Sequence, residues 1–262
     1  MLFCLFSGRV NAEQLAEILA IQDVVLSGES YFDTKLNSME GQRPFLLAMS
    51  VNCFIKNAKV ITTNSELDIH DVRCIHDVVS VGNTSYKIKS QLELVDKQTV
   101  LAEWEAINVL VNLTTRKPTP IPKHLKDEIE KHLPLNQPIL QNRDLETGKM
   151  STTPVVLITE KVEEQHVDSN NHANYLFYFM LVAKVSSEFL KEQNRKGAVS
   201  KSISYVRMWF KNESVLNDVL HIKLWEDEKT SDVIVHILNH TKGDSLINVA
   251  RVESVPIGAS KL

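Results

Sequence analysis

Six of the eight prolines of this 262-residue chain lie in one segment, between Pro118 and Pro154. Proline cannot donate to a β-ladder and it disrupts helix interiors, so this spacing is unfavourable for strands and for long helices. Within the segment, only Lys123–Leu133 has a pattern that could form a short surface helix. We therefore predict that residues 118–154 are a connector between two halves, residues 1–117 and 155–262.

The second half has the pattern of one strand, one helix and then several strands. Residues 155–168 predict the strand, and the helix follows a polar cluster and ends before Gly197. Apolar side chains three and four residues apart give this helix a single apolar stripe. The later strands are predicted at residues 200–210, 217–227, 231–240 and 244–255.

The first half repeats this order. It opens with an apolar strand, MLFCLF, and a helix over Asn11–Leu26, and its other strands are predicted at residues 45–55, 68–81, 85–96 and 99–113. At a constant offset Asp71 pairs with Asp218, which is a weak repeat. This order predicts an α+β fold in which, in each half, a curved antiparallel sheet wraps one long central helix. The alternative is one mixed α+β domain without internal symmetry.

Composition excludes some functions. The net charge of −4 argues against sequence-independent binding to nucleic acid. Three cysteines without metal-binding spacing indicate reduced thiols. The apolar start is too short for a signal peptide, and no apolar run reaches the ~20 residues that a membrane span requires. We therefore expect a soluble, cytoplasmic protein, or one in an organelle such as the mitochondrion.

One motif carries chemistry. The segment HVDSNNHANYLFYF, residues 166–179, follows the predicted strand and enters the predicted helix. It resembles the hotdog thioesterase signature DxxGHVNNxxYL of the acyl-CoA thioesterases, in the 4-hydroxybenzoyl-CoA thioesterase-like clade. In this resemblance Asp168 falls on the acid of the signature, Asn171 on its glycine and His172 on its histidine. Ala173 falls on the valine, Asn174 on the first asparagine and Tyr178 on the tyrosine.

The resemblance implies a tandem, or double, hotdog protein that hydrolyses acyl thioesters. The substrate would be an acyl-CoA or an acyl-carrier thioester, with no metal and no cofactor beyond the CoA thioester itself. Homo-oligomers of double-hotdog units are compatible with it.

Asp168 is the predicted general base or nucleophile, three residues before the helix N-terminus. Backbone N–H groups at such a terminus, and the positive end of the helix dipole, suit a developing oxyanion. His172 and Asn174, placed in the first turn, would orient the carbonyl or the carboxylate, and Tyr175 and Tyr178 would line the acyl pocket. Each has a structural alternative: Asp168 as a cap, His172 as a satisfied polar residue and the tyrosines as core.

Two positions depart from the signature. Asn171, a predicted substrate-binding position, replaces a glycine whose lack of a side chain lets the substrate carbonyl approach the backbone amide. Asparagine tolerates left-handed backbone angles better than other non-glycine residues, so we expect the turn to survive, whereas the side chain would hinder the close approach. Tyr175 replaces the second asparagine. The first half carries a degenerate copy of the motif, in which Gly8 matches the glycine but Leu5 stands where the acid should be, so this site cannot work by the same chemistry.

Further residues are assigned by resemblance. Hotdog sites form between paired domains, so Gly82, Thr84 and Ser85 in the first half are predicted to hold substrate or water. Asp232 is the second-half equivalent of Ser85. Four cations after the second-half helix could bind the CoA phosphates: Lys191, Arg195, Lys196 and Lys201. The alternative is that they only solvate the end of the helix. Strand residues without a role are predicted at His221, His236 and His240.

Two other functions remain open at this stage. A non-catalytic module that binds acyl chains or acyl carriers would explain the lost acid of the first half and the missing glycine of the second. A hotdog enoyl-thioester hydratase also uses an acid and a histidine, but within a different local motif.

Overall fold

The computed structural model describes residues 41–53, 72–94, 99–131, 133, 153–168, 171–196, 201–227 and 229–256. The strand and helix predicted before residue 41, and the degenerate motif there, lie outside these residues. The described elements, in chain order, are β1 (Gln42–Cys53), β2 (Val72–Val81), β3 (Ser85–Leu94), β4 (Thr99–Asn112), α1 (Lys123–Glu130), β5 (Val156–Lys161), a 3-10 turn (Glu164–His166), α2 (Tyr175–Arg195), β6 (Lys201–Phe210), β7 (Val219–Glu226), β8 (Val233–Asn239), a second 3-10 turn (His240–Lys242) and β9 (Ser245–Pro256).

The strands form one antiparallel sheet in the order β2-β3-β4-β1-β6-β9-β8-β7-β5. The first-half order β2-β3-β4-β1 recurs in the second half as β7-β8-β9-β6. The two sets meet where β1 pairs with β6, from Ala48 opposite Trp209 to Asn52 opposite Tyr205. An α+β fold with an antiparallel sheet is therefore confirmed, and each predicted strand in the described residues is present.

Two predicted strands end earlier than the sequence indicated. The strand predicted over residues 155–168 stops at Lys161, because its partner β7 begins opposite it at Val219 and offers no further ladder. Residues Glu164–His166 form a 3-10 turn instead. His240, predicted in a strand, likewise opens a 3-10 turn, whose Lys242 N–H donates to the side chain of Asn239.

Helix α2 packs its apolar stripe on strands β6 to β9. Phe179, Val182 and Val185 are each 0% exposed and share one core cluster with residues of these strands, such as Met208 and Ile222. Truncating a buried aromatic side chain such as Phe179 to alanine costs ~3–5 kcal/mol of stability. The apolar periodicity thus fixes which face of α2 is buried, and thereby where its N-terminus lies.

The start of the predicted connector packs against the first half. Pro118 forms a β-bridge with Val111, and the Ile121 N–H donates to the Asn83 carbonyl at 2.8 Å. The predicted short helix is confirmed as α1, and its Leu125 joins a second core cluster with Ile121 and first-half strand residues. Among the described residues, no helix combines the length and the apolar character that crossing a membrane requires.

Candidate active site

A tight turn before α2 holds Asp168 and His172 against each other. The Asp168 N–H donates to the His172 carbonyl at 2.8 Å, and the His172 N–H donates to the Asp168 carboxylate at 3.2 Å. A β-bridge between Val167 and Ala173 closes the same turn. Asp168 is half-buried, and one of its carboxylate oxygens accepts a hydrogen bond within its own turn.

The tip of this turn requires a left-handed residue. Asn171 has a φ of 60°, and its N–H donates to the Asp168 carbonyl at 3.0 Å. Asparagine adopts this conformation at lower cost than other residues with a Cβ atom. Asn171 thus has the left-handed backbone angle that we expected an asparagine to tolerate here.

Helix α2 begins later than the sequence indicated. Asn174 is its N-cap, and its side-chain oxygen accepts a 2.9 Å hydrogen bond from the Leu176 N–H. The prediction that His172 and Asn174 lie in the first turn is therefore wrong, and Asp168 lies more than three residues before the helix. The physical cause is the extended backbone of Asn174 together with the left-handed residue at 171.

The cap bond also limits what Asn174 can do. It uses one lone pair of the side-chain oxygen, and orientation of a substrate by the rest of the Asn174 amide stays a prediction. The positive end of the α2 dipole still lies at this cap, which favours a negative charge beside it.

Glu213, in the loop between β6 and β7, contacts the imidazole of His172. Its Oε2 lies 3.4 Å from His172 Nδ1, and the His172 side chain is 17% exposed. The loop runs alongside the motif, since Ala173 N–H donates to the Ser214 carbonyl at 2.8 Å and Val215 forms a β-bridge with His172. Glu213 was not among the residues predicted from the sequence, because nothing in the local pattern places this loop beside His172.

Tyr178 anchors the same loop from the first turns of α2. Its hydroxyl lies 2.7 Å from Ser214 Oγ and accepts the Ser214 N–H at 3.1 Å. Burial raises the pKa of Tyr178 more than these hydrogen bonds lower it, so the phenol stays neutral. Tyr178 is 3% exposed, and Tyr175 is partly buried beside the same core. Both have a packing role, and lining of an acyl pocket stays a prediction.

A buried carboxylate fixes the far end of this loop. Asp218, 4% exposed, accepts the Val215 N–H at 2.9 Å, the Asn239 amide at 2.7 Å and the Lys242 ammonium at 3.0 Å. Burial by itself raises the pKa of Asp218, but these hydrogen bonds outweigh it and the pKa is lowered. Glu213 is thus presented by a loop that is anchored at Ser214 and at Asp218.

First-half residues reach this region at Arg116. Its guanidinium lies 3.9 Å from Glu213. Gly82, Thr84 and Ser85 form the β2–β3 turn, where the Leu110 N–H donates to the Thr84 carbonyl at 2.8 Å and the Gly82 N–H donates to the Ser85 carbonyl at 2.7 Å. Their contacts with substrate or water stay a prediction.

The remaining candidates have structural partners. Arg195 and Lys196 both lie 3.6 Å from Glu192 at the exposed end of α2, which fits the interpretation as a solvated helix end. Asp232, the equivalent of Ser85, pairs with Arg251 at 2.7 Å. Lys191 is exposed and Lys201 begins β6, and binding of CoA phosphates by any of these cations stays a prediction.

Comparison with solved structures identifies the architecture. An acyl-ACP thioesterase from Bacteroides thetaiotaomicron superposes with a TM-score of 0.65 at 16% identity, covering 97% of this chain and 93% of the other. A 12:0-ACP thioesterase from Umbellularia californica gives 0.61 at 17% identity, covering 94% and 88%. The chain has the fold of these proteins. This fold is a hotdog-like α+β fold. No protein-family model and no curated protein sequence matches the chain.

Proposed function

We propose that this protein hydrolyses acyl thioesters at the turn that holds Asp168 and His172. The observation that carries the proposal is the pairing of these residues across one turn at the N-terminal end of α2, with Glu213 beside the imidazole. The shared fold supports it, because both similar structures named above are thioesterases.

Asp168 acts as the general base or the nucleophile. As base, its carboxylate takes a proton from water while the water oxygen forms a bond to the thioester carbonyl carbon. The C–S bond then breaks, the acid is released, and the proton passes to the departing thiolate. The helix dipole of α2 stabilises the negative charge on the carbonyl oxygen during this step.

His172 orients the reacting groups, and Glu213 orients His172. A carboxylate 3.4 Å from Nδ1 favours one tautomer and one orientation of the ring, as an acid partner does in other histidine sites. The loop anchors at Ser214 and Asp218 hold Glu213 in place without contacting the substrate.

The chain is organised as two hotdog domains, at residues 1–117 and 155–262, joined by the connector. The recurrence of one strand order in both halves supports this division. Because Leu5 stands where the first half would carry its acid, the protein has one active site, in the second half.

The substrate is an acyl group on a pantetheine thiol, either of CoA or of an acyl carrier protein. The motif resembles acyl-CoA thioesterases, whereas both similar structures are named for acyl-ACP substrates. A panel of both carriers with several chain lengths distinguishes them.

The test is thiol release by wild type, Asp168→Asn and a control, Asp77→Asn. Asp77 is an exposed carboxylate on β2, at the opposite edge of the sheet from β5. We expect Asp168→Asn to lose ~10²–10⁴-fold in rate, the range of general-base contributions, with an unchanged melting temperature. Equal activity of all three proteins would reject the assignment of Asp168. Tight acyl-CoA or acyl-ACP binding without turnover by wild type would show a binding module instead.

A further inference from the structure

Two histidines and an aspartate converge beyond the candidate active site. His221 lies on β7, His240 opens the 3-10 turn after β8, and Asp244 precedes β9. The Asp244 Oδ1 atom lies 3.2 Å from His221 Nδ1 and 3.1 Å from His240 Nδ1. The two imidazole rings stack with centroids 4.0 Å apart. One carboxylate oxygen is thus shared by two imidazoles from different elements.

These separations match those between ligands of one metal ion. Three ligand atoms, one from each residue, lie within 4.8 Å of one another. Nitrogen and oxygen ligands at ~2.0–2.1 Å from a tetrahedral zinc ion stand about 3.4 Å apart. The two separations from Asp244 are close to this value, and rotation of the exposed His240 ring would bring its nitrogen onto the same ion as the other two ligand atoms.

The backbone holds the cluster in this arrangement. Gly243 and Asp244 have left-handed φ angles of 69° and 57°, which turn the chain back on itself. Thr241 Oγ1 accepts the Val219 N–H at 2.8 Å, and Asn239 Oδ1 accepts the Lys242 N–H at 3.1 Å. A site held this way loses little conformational entropy on binding an ion.

The local charges both favour and oppose a cation. The Asp244 carboxylate places an acceptor oxygen beside both imidazoles and attracts a cation. Lys223, on the same strand as His221, is a nearby cation that would repel a metal. The two imidazoles coordinate a metal in their neutral form, so they add no positive charge that would repel it.

We propose that His221, His240 and Asp244 form a binding site for a divalent transition-metal ion of the zinc class. Two imidazoles and one carboxylate suit zinc better than magnesium or calcium, which prefer all-oxygen ligands. The three ligands leave a fourth tetrahedral position for water. Occupancy ties β7, the turn after β8 and the start of β9 together, and it is independent of the proposed hydrolysis.

The test uses the full chain without a histidine tag, titrated with zinc chloride in a calorimeter. His240→Ala and Asp244→Asn are the variants, because His240 is exposed and asparagine keeps the left-handed angle at 244. We expect each to weaken the affinity by at least about tenfold, the lower end of losses seen when even an outer-shell partner is removed. His124→Ala, an exposed histidine on α1, is the matched control and should bind as wild type does.

Cobalt, used as a spectroscopic probe, distinguishes metal binding at this site from metal binding by the cysteines. Thiolate ligation gives a charge-transfer band that histidine and aspartate ligands do not. Wild type without measurable zinc binding would overturn the proposal, and so would equal affinities in wild type, His240→Ala and Asp244→Asn. Lys223→Gln should bind zinc more tightly than wild type, since it removes the repelling cation.

Discussion

The imidazole Nδ1 of His172 lies 3.4 Å from a carboxylate oxygen of Glu213, a residue of a different loop. Two contacts fix this loop beside the motif. One is the 2.8 Å hydrogen bond from the Ala173 N–H to the Ser214 carbonyl, and the other is the contact of the buried Tyr178 hydroxyl with the Ser214 side chain. A pair held from two directions in this way keeps the ring in one orientation. The geometry therefore assigns Glu213 a positioning role in the proposed hydrolysis.

Glu213→Gln is expected to lower kcat by ~10–100-fold. The variant removes the charge that lies 3.4 Å from the imidazole, and a loss of about 1.4–2.8 kcal/mol of orientation corresponds to ~10–100-fold in rate. KM should change little, because Glu213 is not assigned a contact with substrate. Steady-state kinetics on the best substrate of the acyl-thioester panel measure both parameters.

The control for this variant is Glu188→Gln, which removes an exposed carboxylate further along α2. It should retain wild-type kinetics. If Glu213→Gln changed the melting temperature and kcat no more than Glu188→Gln, the contact with His172 would have no part in the reaction.

The sequence predicted what depends on local pattern. The apolar stripe of α2 and the strands β2, β3 and β4 follow from periodicity alone, and the turn at Asn171 follows from the backbone preference of asparagine. The early end of β5 was not predictable, because it depends on where its partner β7 begins. Glu213 and Ser214 were missed for the same reason, since Ser214 is 36 residues from Tyr178 in the chain.

Asn171→Ala is expected to destabilise the protein by ~1 kcal/mol, because alanine pays the steric cost of a left-handed backbone that asparagine and glycine largely avoid. Asn171→Gly should leave the free energy of unfolding within a few tenths of a kcal/mol, because its greater freedom in the unfolded chain offsets the relieved strain. Urea denaturation of both variants measures this. The reverse order of stabilities would mean that the turn does not hold a left-handed residue at 171.

The same pair tests whether a side chain at 171 restricts the substrate. If the side chain obstructs approach to the turn, Asn171→Gly should raise kcat/KM for acyl thioesters. The kcat/KM of Asn171→Ala should be no higher than that of Asn171→Gly. A lower kcat/KM in Asn171→Gly would assign the asparagine side chain a favourable contact.

Tyr178→Phe is expected to destabilise the protein by ~1–3 kcal/mol, because it leaves the buried Ser214 N–H without its acceptor. Ser214→Ala removes only the side-chain partner of the phenol. The double variant should cost less than the sum of the two, since both changes break one interaction. Thermal denaturation of the four proteins measures this coupling, and strict additivity would show that the 2.7 Å contact contributes nothing.

Asp218→Asn is expected to destabilise the protein by ~2 kcal/mol at neutral pH, because it removes the charge that accepts hydrogen bonds from Val215, Asn239 and Lys242. The pKa of Asp218 in the folded state is below its ordinary value of 3.8. A carboxylate with a depressed folded pKa stabilises the protein fully above the unfolded pKa, and that contribution is lost as the pH falls through the folded pKa. The stability difference between wild type and Asp218→Asn should therefore be constant at neutral pH and shrink below about pH 4. Urea denaturation across this range measures it. A difference that persisted undiminished in acid would show that packing of the side chain, rather than its charge, fixes the loop that carries Glu213.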